Sequence, residues 1–119
     1  MINFREIEFW KRSRRLAIDV YGITKDFPKY EQYGLTSKIR RCSVSIPSNI
    51  AEGSSRRSKK DFLRFIEYSI GSAHELETQM DIAHEVSYIP DDKYKKVNTE
   101  IIELIKMMSR YSSRIRQSI

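Results

Sequence analysis

Among the 119 residues, the broadest chemical signal is cationic. Lys38, Arg40, Arg41, Arg56, Arg57, Lys59, Lys60 and Arg64 all fall between Gly34 and Arg64, where the only acids are Glu52 and Asp61. That stretch carries +6, the net charge of the whole chain, while residues 1–33 contribute +2 and residues 65–119 contribute −2. Phosphate binding needs many cationic donors on one surface, because affinity grows with the counterions released. Arginine adds bidentate geometry that lysine lacks. Neither a zinc finger nor an aromatic RNA-recognition motif is present, so any such binding would be driven by charge and shape. A merely solvated basic face is the plainer alternative.

Other reactive residue types point to structure. His74 and His84 stand near Glu77, Asp81 and Glu85, and Asp81-x-x-His84 has a metal-like spacing. A di-metal helical bundle, however, draws carboxylates from every helix and a histidine from two of them, and the other helical stretches hold no histidine. No metal or cofactor is expected. Small helical nucleases that pair an arginine with a histidine four to six residues later find no counterpart here. Cys42 lies on an apolar stripe far from either histidine, which suits a core residue better than a nucleophile. A Gly-rich phosphate loop and a nucleophile elbow are both missing. The expectation is a non-catalytic protein. Asn49, Glu52 and Glu75 remain, as binding contacts or as a polar network tying the second and third helices near Pro47.

These residues need helices to position them. A first helix is predicted over about Glu6–Phe27, with Trp10, Ala17, Val20, Thr24 and Phe27 on one stripe and Pro28 ending it. A second follows over about Leu35–Glu52 on Leu35, Ile39, Cys42, Ile46 and Ile50. Pro47 within it removes a hydrogen bond and predicts a kink, and Gly53 stands where a C-cap glycine belongs. Ser58 caps a third helix reaching about Val86. Gly71 in its middle costs about 1 kcal/mol relative to alanine, so a close helix neighbour is expected there. A fourth opens at Pro90-Asp91-Asp92, where proline and acids suit a first turn. Ile102, Ile105 and Met107, with Tyr68, Ile70 and Ile82, widen the apolar faces beyond one stripe and read as a subunit interface, with scattered ordinary surface hydrophobes as the plainer alternative.

Length bounds the chain to one domain, residues 1–119. With 39% apolar and 32% charged residues and only four glycines and three prolines, it reads as an all-α, antiparallel up-down-up-down four-helix bundle. The lone cysteine and the charged N-terminal stretch MINFREIEFWKRS suit a cytoplasmic protein without a signal peptide. No apolar run approaches the ~20 residues that span a bilayer.

Several strings then resemble a known family: Phe9-Trp10-Lys11 with Leu16-Ala17; Tyr33-Gly34-Leu35-Thr36-Ser37 followed by Ile39-Arg40-Arg41; and Ser45-Ile46-Pro47-Ser48-Asn49-Ile50-Ala51-Glu52-Gly53. Phe62-Leu63-Arg64-Phe65, Gly71-Ser72 and Glu75-Leu76-Glu77-Thr78-Gln79 continue the match over nearly the whole chain. On these residues the chain is similar to the bacterial proteins encoded in intervening sequences of 23S ribosomal RNA genes. The resemblance implies an antiparallel four-helix bundle without established catalysis, able to form a homopentamer. Its relatives include accessory proteins of diversity-generating retroelements, which bind nucleic acid and a reverse transcriptase. Two functions follow as expectations: a nucleic-acid-binding oligomer with RNA preferred, or a scaffold docking a partner enzyme such as a reverse transcriptase.

Overall fold

The computed structural model describes residues 2–119. Helices α1 (Glu8–Thr24), α2 (Leu35–Ser54), α3 (Lys59–Glu85) and α4 (Asp91–Gln117) make up nearly all of it, with short 3-10 turns at Phe4–Glu6 and Lys29–Glu31. Each helix packs on its neighbours in sequence, and α1 closes the ring against α4. The direction alternates, as cross-helix pairs show. Phe9 near the start of α1 meets Tyr111 near the end of α4, while Arg40 of α2 bonds Thr24 at the end of α1. The result is the antiparallel four-helix bundle expected, an elongated body of 45 × 23 × 20 Å.

One core runs its length. Leu16, Val20, Ile39, Ile46, Ile50, Ile66, Leu76, Met80, Ile101, Leu104 and Met108 are almost wholly excluded from water. Their spacing of threes and fours brings one stripe per helix inward, so apolar burial drives the assembly of helices that are individually marginal. Short polar side chains fit among them by bonding backbone. Ser13 donates to the Trp10 carbonyl at 2.9 Å, Thr24 to that of Val20 at 2.8 Å, and Ser69 of α3 to that of Ile46 of α2 at 2.9 Å.

Helix ends are set by identifiable caps. Ser58 accepts from the Asp61 amide at 3.1 Å, as its position before Phe62 predicted. Glu31 reaches forward to accept the Leu35 amide at 3.1 Å, placing a carboxylate at the positive end of α2. α3 stops in a Schellman turn: the Tyr88 amide bonds the Ala83 carbonyl, the Ser87 amide bonds that of His84, and Ser87 takes a left-handed φ of 67°. The first helix is shorter than its periodicity implied. Ile7 is extended, with ψ 123°, and separates the Phe4–Glu6 turn, itself capped by Asn3, from α1.

Two glycine expectations are corrected. Gly53 is no left-handed cap; it lies buried inside α2, which runs on to Ser54. A Cβ there would come within 2.6 Å of the Phe65 Cβ and 3.0 Å of Phe62 Cδ1, so the glycine lets α3 close onto α2. Gly71 has the reverse history. No atom lies within 4 Å of where its Cβ would stand, so no neighbour in this chain compensates it. α2 stays helical through Pro47. Side-chain donors gather on carbonyls around that proline, Ser45 on Cys42 at 2.7 Å and Asn49 on Ser45 at 2.8 Å. The six residues read as surplus apolar width divide. Ile70, Ile105 and Met107 pack partly buried on the core and Ile102 is half-buried, while Tyr68 and Ile82 stay about half exposed. No helix is long and apolar enough to cross a membrane, among the described residues.

Candidate nucleic-acid interface

The basic residues of the α2–α3 hairpin do not share one place. Lys38 begins α2 and Arg56 follows its end, which puts them roughly 25 Å apart along the axis at ~1.5 Å per residue. Arg40 and Arg41 lie between. Arg40 is half-buried: its Nε donates to Thr24 Oγ1 at 2.8 Å and its guanidinium covers the Tyr21 ring at 4.7 Å, so it clasps α2 to α1. Arg41 is exposed, with Nη2 3.4 Å from the Ser37 hydroxyl.

The other five gather at one end of the bundle, on the connection between α2 and α3 and the first turns of α3. There each nearby acid on these two helices has its own arginine. Arg56 pairs with Glu52 at 3.0 Å, Arg64 with Asp61 at 3.6 Å, and Arg116 of α4 with Glu67. Arg56 and Arg64 also lie over the Phe65 ring, at 4.8 and 5.4 Å. Arg57, Lys59 and Lys60 are exposed and have no acidic partner within 4.0 Å among the described residues. Because α4 runs antiparallel to α3, its last turns return to the same end, and the Tyr111 ring stands 6.0 Å from Phe62. Arg110 and Arg114 arrive with it, both exposed. In the sequence the two stand only as arginines late in a helix, where positive charge is favourable. Their signal, arginines late in a helix that must double back, becomes spatial only once the topology is known. The opposite end is mixed: Asp26, Glu31, Asp81, Glu85, Asp91 and Asp92 lie at or near the helix ends there together with Lys25, Lys29, Lys38, Lys93, Lys95 and Lys96, so it carries no comparable excess of charge.

The three polar candidates near Pro47 do not form one network. Asn49 bonds within its own helix, Glu52 holds Arg56, and Glu75 lies 3.4 Å from the Cys42 thiol. Cys42 also donates to the Ser72 carbonyl at 3.0 Å. Burial, reinforced by the Glu75 carboxylate, pushes its pKa up to about 12, the opposite of an activated thiolate. His84 does not join Asp81: it meets Asp91 at 2.6 Å and stacks on Tyr94 with centroids 4.2 Å apart, while the Tyr94 hydroxyl donates to Asp81 at 3.4 Å. His74 is exposed beside Glu77.

Fold and surface together define a small antiparallel helical bundle with a packed core and a cationic end. The chain belongs to the 23S rRNA-intervening sequence protein family, whose profile matches residues 5–110. Among solved structures it is similar to a crystal structure from Bacteroides thetaiotaomicron, a protein of unknown function from the S23 ribosomal protein family. The two share a TM-score of 0.81 and 21% identity over 87% of this chain and 97% of that one. That likeness is one of fold. Among curated proteins none matches this chain.

Proposed function

We propose that this protein is a non-catalytic, oligomeric nucleic-acid-binding bundle with RNA as its preferred ligand, working in the cytoplasm. The observation that carries the reading is the uncompensated charge of Arg57, Lys59 and Lys60 at one end of the molecule, joined there by Arg110 and Arg114. Exposed cations without acidic partners are free to exchange counterions for phosphates, and each such exchange adds to affinity and to its salt dependence. Arg56 and Arg64 can add contacts by swinging from their surface carboxylates, which bind them weakly. Lys38 and Arg41 stand apart and would meet only a ligand that runs along the α2 surface. Arg40 is committed to Thr24 and Tyr21 and contributes mainly by holding α2 in place. The rRNA context in the family's name agrees with an RNA ligand, and the resemblance suggests a homopentamer.

Anisotropy of a labelled structured RNA, titrated with nuclease-treated protein across a salt series, tests this. The affinity should fall linearly in log salt with a slope of several phosphates. Replacing Arg57, Lys59 and Lys60 together with alanine should reduce that slope by about 2–3, at ~0.7–0.9 per phosphate lost. Absence of binding at low salt would reduce the basic end to a solvated surface.

A second reading, a scaffold docking a partner enzyme such as a reverse transcriptase, is favoured by a different observation. Tyr30 and Tyr33 are 79% and 90% exposed on the α1–α2 connection, at the end away from Arg57. Co-purification that survives nuclease treatment but is lost on replacing Tyr33 with alanine would support that reading.

A further inference from the structure

Two outward helix faces share an arrangement that nothing within the chain explains. On α1, half-exposed Ile18 and Gly22 stand among Lys11, Arg14, Arg15 and Lys25, with Asp19 at the edge toward α4. On α3, Tyr68, Gly71 and Ile82 are exposed beside Glu75 and Glu85. No lysine or arginine occurs between Phe65 and Val86; the one cation in line with this face, Arg64, lies a turn before Tyr68 and is paired with Asp61 at 3.6 Å. A Cβ at Gly22 or at Gly71 would touch nothing within 4 Å. Neither glycine therefore makes room for another part of this chain, although a mid-helix glycine weakens its helix. α1 and α3 are diagonal in the bundle, with no close approach of their backbones, so the two faces look outward on different sides.

We propose that these faces are the two halves of one contact, with α1 of one protomer packing against α3 of the next. The charges are opposite, the apolar residues supply area to bury, and the glycines remove the side chains that would hold the two backbones apart. Pairing either face with its own copy would set like charges against each other, which is unfavourable in an interface. The contact is therefore heterologous, and repetition of it builds a ring if the rotation closes. This inference rests on the oligomeric reading above and names the surfaces that reading lacks.

Sedimentation velocity of the full chain provides the test, with circular dichroism to verify helicity. Reversing α1 (Lys11→Glu with Arg15→Glu) or α3 (Glu75→Lys with Glu85→Lys) should each reduce the wild-type assembly to the 14.1 kDa monomer. Mixing the two reversed proteins should restore association in alternating order, since acidic α1 then finds basic α3 and basic α1 finds acidic α3. Any closed ring formed by the mixture should hold an even number of protomers, because a five-membered ring cannot alternate. Gly71→Arg, which meets no obstacle within the chain, should block assembly with helicity intact and guards against a reversed variant that fails to fold. Variants that assemble like wild type would overturn these faces while leaving the oligomer standing. So would an α1 reversal that lowers RNA affinity without changing assembly, because the α1 face would then serve nucleic acid. A wild-type protein that is monomeric at all concentrations would remove the oligomeric reading itself.

Discussion

The Cys42 thiol shows how position decides chemistry. Desolvation and the Glu75 carboxylate both favour the protonated form, so the thiolate that would attack an electrophile is scarce at neutral pH. Iodoacetamide should label native Cys42 far more slowly than the urea-unfolded chain, as mass spectrometry over time would reveal. Glu31 shows the opposite shift. The Leu35 amide first, and then the Tyr88 hydroxyl at 2.9 Å, hold its carboxyl below the usual range. A lowered pKa means the unfolded chain binds the proton more readily, so this stabilisation is complete above the unfolded value near 4.5 and fades as pH falls through the folded one. Glu31→Ala should accordingly lower the thermal midpoint at pH 7, and the gap to wild type should shrink below about pH 4.5 in melts at graded pH. Arg40, grouped by sequence with the phosphate contacts, bonds Thr24 and covers Tyr21. Arg40→Ala should cost about 1–2 kcal/mol in urea unfolding, from one hydrogen bond and one cation–π contact.

At the scale of elements, backbone conformation separates residues that look alike in sequence. Ser87 ends α3 in a left-handed conformation that an L-residue with a Cβ adopts at a cost of roughly 1–2 kcal/mol. Ser87→Gly should relieve about 1 kcal/mol of this and raise the denaturant midpoint. The central glycines should respond in opposite directions. Gly53→Ala forces a methyl against Phe65 and Phe62 and should destabilise the fold by about 1–3 kcal/mol. Gly71→Ala meets open space in a helix and should stabilise the isolated bundle by about 0.5–1 kcal/mol. Chemical denaturation of the two variants side by side checks both signs. Sequence alone reversed their roles, assigning the cap to Gly53 and the close approach to Gly71, because helical periodicity does not report which helix lies opposite. The Ser58 cap was legible, since that signal is local.

For the whole molecule, charge is distributed along an axis. The α2–α3 connection and the last turns of α4 make one end cationic, whereas acids and lysines are mixed at the other, as in Asp91-Asp92-Lys93 and Lys95-Lys96. A rod with its excess positive charge at one end should be steered toward polyanions by that end, with association rates that fall as salt rises over Debye lengths of about 10 Å at 0.1 M. Stopped-flow association with RNA should therefore slow with salt more for wild type than for the protein lacking Arg57, Lys59 and Lys60. The four-helix class, the core stripes through Ala17, Val20, Ile39, Ile46 and Ile50, and the concentration of positive charge in the middle of the chain were all determined by sequence. Each rests on composition or on periodicity within a single segment. Only the tertiary structure decided that Arg40 is a clasp, that Asn49, Glu52 and Glu75 take separate partners, and that Arg110 and Arg114 join the basic end. Those outcomes depend on which helix lies beside which, and at what height, and that is fixed by the simultaneous packing of four apolar stripes.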